Sequence, residues 1–508
     1  MSQPQKQIPK LISKTKIMNG YQCHKSIYWA VHNKTLIPPV TPELQALFDQ
    51  GNQVTEKARE LFPEGVLVDF PAYDFVGSLT RTRELLKENT HAIFEAAFEY
   101  KGCYARADIV RYNPSTQRWL ITEVKMSTKI KPEHLDDVGL QVWIMANAGL
   151  PIEKISVMYL NNAYQHGVSD PKQLFVDEDV TDRLRSDYKA IAPRLTEIFK
   201  AIRSEQEPEV AIGKHCFEPR ECQFMEHCWS QLEMPKPNIF DLPAMNNKKW
   251  REAKWDLYNR GHVGLDQLDQ ADRTETLNEN QNRTLNSIQT GERFIDRDKI
   301  NAEISKWKFP LVFLDFETIN PAIPRYPKTS AFTQVPFQYS VHVMESLEAE
   351  PEHFEFLADD QSDPRRALIE SLIKACQGDG AVVAYFAKFE GERLLEMADF
   401  SPEHAAELLQ IRERLVDPLP LLRESVYDPR FGDSFSIKSV GPALLGDRFD
   451  YSQLKVGDGG AAQRAFEELI SDKTPPMRKN ELKGALLLYC QQDTYVMVEL
   501  VRWLFNQI

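Results

Sequence analysis

LVFLDFETIN, residues 311–320, is an apolar run broken by two acids. Its composition predicts a buried strand, and alternation puts Asp315 and Glu317 on one face of that strand. An unpaired carboxylate is costly to bury, so a strand carrying two needs compensating charge, which metal ions would supply. The stretch sets an α/β expectation for its surroundings and says which side chains to seek elsewhere in the chain.

Three further segments supply them. VVAYFAKFEGERLL (382–395) ends a strand and opens a helix, presenting Glu390 at the junction. Asp417, in RLVDPLPLL, is an alternative acid, and Glu392 is another. LLLYCQQDTY (486–495) reads as helix, with Tyr489 and Asp493 one turn apart on one face. SFSIKSV (434–440) contains Lys438, a candidate for phosphate contact, and KMSTKIK and KKWREAKW are basic segments of the same kind, with Trp250 and Trp255 as stacking faces.

The ordered series resembles the DEDD exonucleases of ribonuclease H-like fold, in the subgroup whose last motif is Tyr-x-x-x-Asp. That resemblance implies two Mg²⁺ or Mn²⁺ ions held by Asp315, Glu317, Glu390 and Asp493, with Tyr489 orienting the attacking water. The chain departs from the pattern at the second motif, where Phe386 takes the Asn place and Glu390 the Asp place. From about Pro310 the tail also resembles an uncharacterised bacterial domain family, through LDFET, PAIPRYP, PFQYSVH, FEGERL, GDSFSIKSVGPALL and YCQQDT.

Nearer the N-terminus, ARADIVRYNPSTQRWLITEVKM (105–126) reads as two strands joined by a turn at Asn113-Pro114-Ser115. Asp108 lies on the first, and Glu123 and Lys125 share a face of the second. Gln141 follows on the helix LDDVGLQVWIMANAG, and HAIFEAAFEY, read as an amphipathic helix, adds Glu95. Carboxylates that hold Mg²⁺ or Mn²⁺, with a lysine to offset charge growing in the transition state, are what phosphodiester hydrolysis needs. Strand-Asp, turn, strand-Glu-Val-Lys and helix-Gln together resemble the PD-(D/E)XK nuclease core in its RecB-like branch. Thr55 and Met145 stand where that branch carries His and Tyr.

HCFEPRECQFMEHCW, from His215, spaces Cys216, Cys222 and Cys228 six apart in a chain of seven cysteines. Zinc sites pair cysteines more closely, so this spacing suits a wider, loop-wrapped cluster. The RecB-like branch includes nucleases that close a [4Fe–4S] cluster with one N-terminal cysteine and three beyond the core, and Cys23 in GYQCHKSIYW takes that first place. Zn²⁺, with His215 or His227 replacing Cys23, is the alternative. Cys103, Cys376 and Cys490 read as ordinary buried thiols.

A chain of 508 residues exceeds one core, and the expected division is 1–235 as a RecB-like domain, 236–305 as a partly helical connector and 306–508 as a ribonuclease H-like domain. The net charge of −14 opposes sequence-blind wrapping of a polyanion unless positive charge is concentrated locally. No apolar run is long enough to span a membrane, and the basic N-terminus lacks the apolar stretch of a secretory signal, so a cytoplasmic protein without membrane partners is expected. The functional expectation is a metal-dependent nuclease, exonucleolytic, acting on DNA in preference to RNA during end processing, repair or defence. Because no helicase P-loop is present, a helicase or another repair or defence protein is an expected partner. The alternatives are a nucleic-acid-binding scaffold whose metal centres have decayed, and a phosphoesterase acting on small nucleotides.

Overall fold

The computed structural model describes residues 9–245 and 247–508. Part of the N-terminal stretch read for a signal, residues 1–8, lies outside them. The chain divides into two units: residues up to Glu233 together with Pro321–Phe332, and Met234–Asn320 together with Thr333–Ile508.

In the first unit, β1 (Ile12–Ser13) leads into α1 (Lys14–Gln22), followed by β2 (Val66–Leu67), β3 (Ala92–Tyr100), β4 (Cys103–Asn113) and β5 (Arg118–Lys125). After α2 (Pro132–Asn147) come β6 (Ile152–Leu160) and β7 (Phe175–Asp179). The sheet order is β2-β3-β4-β5-β6-β7, with β1 pairing parallel to β4. The β3-β4-β5 pairs are antiparallel and β5-β6 is parallel, α2 making the crossover that a parallel pair requires.

HAIFEAAFEY is therefore strand β3 and not the helix its sequence suggests. Most of it is buried, so its apolar residues do not alternate and period two is erased. Glu95 lies on this strand at a left-handed φ of 57°, opposite Asp108 in the ladder between the Phe94–Ile109 and Ala96–Ala107 pairs.

The segment Pro321–Phe332, the PAIPRYP region expected in the C-terminal domain, is part of the first unit. The His166 amide donates to Thr329 O at 2.9 Å, the Lys328 amide to His166 O at 2.9 Å, and Ser330 Oγ to Tyr164 O at 2.6 Å. Ala322 and Ala331 pack in a core with Val54, Ala58, Leu160 and Tyr164.

In the second unit, β8 (Phe294–Ile295) precedes a five-stranded sheet of β9 (Leu311–Ile319), β10 (Val335–Met344), β11 (Glu352–Leu357), β12 (Val382–Val383) and β13 (Leu415–Val416), and β14 (Val426–Tyr427) pairs back to β8. The order is β11-β10-β9-β12-β13, antiparallel at β10 and parallel across β9-β12-β13. Its helices include α3 (Lys388–Phe400), α4 (Pro418–Ser425), α5 (Ile437–Leu445) and α6 (Pro476–Phe505).

β9 is central and covered on both faces. Leu311 and Phe313 pack on the side of Met497, Val498 and Leu500 from α6, and Val312, Leu314 and Phe316 face Leu368, Leu372 and Leu394 on the other. Each such side chain contributes about 1.5–3 kcal/mol of burial. Asp315 and Glu317 continue the α6 side of the strand, so burial set by the apolar half of LVFLDFETIN aims the acids at that helix.

The stretch read as a connector is folded. Helices Lys248–Asn259 and Glu279–Thr290 surround Trp250 with Ile239, Leu257, Leu265 and Leu285, and Asn247 and Asn278 cap them. Trp250 and Trp255 are buried, which removes them as stacking faces. Among the described residues no helix is long and apolar enough to cross a membrane.

Candidate functional site

Three acids converge in the second unit. Ligand oxygens of Asp315 and Glu317 from β9 and of Asp493 from α6 all lie within 4.8 Å of one another. Burial pushes all three carboxyls up, and their mutual repulsion adds to this for Asp315 and Glu317, which stand well above the ordinary carboxylate range. Asp493 is raised to about 6 by burial, against hydrogen bonds and the Lys438 ammonium that lower it.

Glu390 projects from the first turn of α3 and is 2 % exposed. Burial and then the Asp315 charge raise its carboxyl, and its Oε2 is buried without a hydrogen-bond partner. An orphaned buried oxygen beside an acidic triad is the feature a cation would explain. Asp315, Glu317 and Asp493 fit a divalent-ion centre, and Glu390 lines the same cleft beside Asp315. The alternative acid, Asp417, is committed to backbone: it accepts from the amides of Phe386 at 3.1 Å, Ala387 at 3.0 Å and Leu419 at 2.9 Å, capping α4.

A cleft of about 380 Å³ opens over the acids, lined by Asp315, Glu317, Asn320, Phe386, Glu390 and Gly459 among others. Phe386 stands at φ 69° and is 53 % exposed, so no side chain at the Asn place of the resembled motif reaches the acids as a ligand.

Tyr489 lies on α6 one turn before Asp493. Its hydroxyl accepts from Lys438 Nζ at 3.0 Å, and the same ammonium donates to Gly457 O at 2.8 Å. Lys438, on α5, is thus held at the acids and not extended to solvent. Two contributors escaped sequence reading. Tyr451 donates to Asp493 Oδ1, and the Cys490 thiol lies 3.6 Å from Asp315 Oδ2. Nothing in the sequence around Tyr451 marks it, whereas Cys490 is adjacent to Tyr489 and could have been placed beside the acids.

The first unit holds the other cluster. Glu123 Oε1 accepts from Lys125 Nζ at 2.7 Å and from Lys14 Nζ at 3.0 Å, while its Oε2 accepts from Gln141 Nε2 at 2.8 Å. Both ammoniums also reach Asp137 Oδ2, at 2.5 Å from Lys125 and 3.1 Å from Lys14. Burial opposes the charge on each lysine, but Glu123 and Asp137 outweigh it and hold both ammoniums above the usual lysine range.

Asp108 is raised to about 8 by burial, then by Glu123 and Glu95, and its Oδ2 accepts the Val124 amide at 2.7 Å. Glu95, on β3 and not on a helix, accepts from Arg59 Nη2 at 2.7 Å. Met145, on α2, is wholly buried in the core. Lys14 left no signal, since a lysine in a basic N-terminal stretch is unremarkable. Asp137, four residues before Gln141 on one helix, could have been found by its spacing.

The four cysteines Cys23, Cys216, Cys222 and Cys228 are free thiols, and Cys23, Cys216 and Cys228 each lie near enough to others of the set to feel their charge. Burial raises the thiols of Cys23, Cys216 and Cys228. Cys23 ends α1, and Gln22 beside it donates to the carbonyls of His215 and Arg220, both at 2.7 Å, tying the cysteine-rich loop to that helix. His227 packs edge-on against Trp29 with ring centroids 5.2 Å apart.

Residues 312–436 match the family model described as a domain of unknown function (DUF2779). That span contains Asp315, Glu317, Glu390 and Asp417 and ends before Lys438, Tyr489 and Asp493. The chain is 28% identical over 224 residues to "Uncharacterized protein MG366 homolog" of Mycoplasma pneumoniae, covering 40% of this chain and 33% of that protein. It is 24% identical over 213 residues to "Uncharacterized protein UU173" of Ureaplasma parvum, covering 38% and 31%. The chain therefore spans about a third of the length of the curated relatives it matches, and its similarity is to a domain and to proteins without an assigned activity.

Proposed function

We propose that the protein is a divalent-metal-dependent nuclease whose second unit hydrolyses phosphodiester bonds in the cleft over Asp315, Glu317, Glu390 and Asp493. The observation that carries this reading is the convergence of the Asp315, Glu317 and Asp493 oxygens within 4.8 Å, next to the orphaned Glu390 oxygen. Mg²⁺ or Mn²⁺ held there would polarise the scissile phosphate and lower the pKa of water. The chain's own groups do the rest. Lys438 places positive charge beside the acids and fixes the Tyr489 hydroxyl, which stands one helical turn from Asp493 to orient water. The mixed sheet with its acids on the central strand is in keeping with a ribonuclease H-like exonuclease.

In the first unit, the Asp108, Glu123, Lys125 and Gln141 cluster supports a RecB-like core, and the cysteine set supports a [4Fe–4S] clamp. Among the described residues no three cysteine sulfurs lie within 4.8 Å of one another, whereas a single tetrahedral zinc needs them about 3.8 Å apart. The substrate on this reading is nucleic acid, DNA before RNA, with unwinding left to a helicase or another repair or defence partner.

The test is Mg²⁺- or Mn²⁺-dependent degradation of end-labelled DNA and RNA by the whole chain. Cleavage that disappears in Asp315→Asn supports the reading. A wild type that binds nucleic acid but never cuts it makes the protein a scaffold, and turnover of mononucleotides in preference to polymers makes it a small-molecule phosphoesterase.

A further inference from the structure

The two acidic clusters differ in how their charge is met. In the second unit the acids outnumber the one ammonium near them, Lys438, and Glu390 keeps a buried oxygen with no partner. In the first unit each acid is already engaged by a protein donor, and Glu123 through both of its oxygens. Glu123 receives two ammoniums on one oxygen and an amide on the other, Asp137 receives the same two ammoniums, Asp108 receives a backbone amide, and Glu95 is turned to Arg59. Among the described residues the ligand atoms gathered within 4.8 Å are those of Asp315, Glu317 and Asp493 in the second unit. The first set does not fit a resident divalent ion.

Lys14 makes the difference. It reaches Glu123 from 109 positions away, at the start of α1, and also receives support from Gln141 Oε1 at 2.7 Å. With Lys125 it supplies two positive charges against Glu123 and Asp137. Its helix is fixed at the other end by Gln22, and by Asn19 Oδ1, which accepts from Arg220 Nη2 at 2.6 Å. Lys14, Gln22 and Arg220 line one pocket of about 470 Å³ with Glu123, Lys125 and Asp137. The ammonium is thus positioned by the fold and is not a mobile surface charge.

We propose that Lys14 occupies the electrostatic place of a divalent ion in the first cluster, so that this pocket recruits no Mg²⁺ or Mn²⁺ and the divalent-ion requirement of hydrolysis belongs to the second cleft alone. Resting on the nuclease reading, the corollary is that hydrolysis is confined to the second cleft.

Mn²⁺ is a suitable probe, because it favours carboxylate oxygen over the thiolates of the cysteine set. The whole chain carrying Asp315→Asn and Asp493→Asn, which silences the second cleft, is titrated with Mn²⁺ while free ion is followed by electron paramagnetic resonance. No carboxylate-bound Mn²⁺ is expected. Adding Lys14→Met should create one site per chain, and adding Glu123→Gln should remove it again, whereas Lys14→Arg should create none. Mn²⁺ uptake by the silenced chain with Lys14 intact, abolished by Glu123→Gln, would overturn the inference without any Lys14 variant having to fold. Failure of a folded Lys14→Met chain to gain a site would overturn it as well. A protein that binds Mn²⁺ at the second cleft yet cuts no nucleic acid defeats the proposed function and leaves this inference standing.

Discussion

Tyr451 donates its hydroxyl to Asp493 Oδ1 at 2.5 Å. Burial and the neighbouring Asp493 charge push this phenol far above its usual range, so it remains a donor at any working pH. The bond helps the carboxylate form of Asp493 against the burial that raises it to about 6. Tyr451→Phe should therefore move Asp493 further up, and the pH at which Mn²⁺ binding is half-lost should rise. Mn²⁺ titrations across pH 5–8 check this; an unchanged midpoint would show the bond to be without effect on the centre.

Removing a ligand should have a larger consequence. Asp315→Asn or Asp493→Asn leaves shape nearly unchanged but takes a charge from the cation site, and cleavage should fall by about 10²-fold or more, the scale of losing one transition-state stabiliser. Single-turnover kinetics at saturating Mn²⁺ separate this loss from weaker metal binding.

Glu390 and Asp417 should separate by readout. Glu390→Gln should weaken Mn²⁺ affinity with little loss of stability, since its Oε2 makes no hydrogen bond to lose. Asp417→Asn should leave Mn²⁺ affinity near wild type and cost about 1 kcal/mol in urea unfolding, because it caps α4 and holds two further amides. The reverse outcome would reassign the fourth acid.

The raised acids also tie stability to pH. Asp493 ionises at 3.8 when unfolded and at about 6 when folded, so the metal-free fold gains from its protonated form at low pH and loses that advantage as pH rises between those values, by at most ~3 kcal/mol. Asp315, Glu317 and Glu390 shift in the same direction and extend the loss to higher pH. Metal-free protein should melt at lower temperature at pH 7.5 than at pH 5, with Mn²⁺ restoring most of the difference. Calorimetry on Asp493→Asn, which lacks the penalty at that position, should show a shallower slope.

For the cysteines, anaerobic purification should yield iron and acid-labile sulfide, and Cys23→Ser should lose both and lower the first unit's melting temperature. Stoichiometric zinc without sulfide would replace the cluster with a single ion.

What could be read from the chain followed the strength of each local pattern. LVFLDFETIN could be placed because its apolar residues need cover on both faces and its acids fall on one of them. Asp493 and Tyr489 could be placed because helical spacing is rigid. HAIFEAAFEY could not, because a strand covered on both faces loses the alternation that distinguishes it from a helix. Lys14, Asp137 and Tyr451 enter their sites through tertiary folding across long separations, which no local period encodes. Asp417 stands in the sequence as the alternative to Glu390, and the three amides it accepts reveal it as a cap.

The excursion of Pro321–Phe332 into the first unit means that the polypeptide passes between the units three times, near residues 233, 320 and 332. A gene fragment stopping at Glu233 would leave the backbone groups of Tyr164 and His166 without their partners and uncover Val54, Ala58 and Leu160. Expressing the halves separately is therefore a poor way to assign activities, and point substitutions in the intact protein are the sound route. By the same logic, a protease nicking the 233–234 junction would cut the chain into 1–233 and 234–508, and the second fragment, which carries Pro321–Phe332 and its hydrogen bonds to Tyr164 and His166, would stay bound to the first until the protein is denatured.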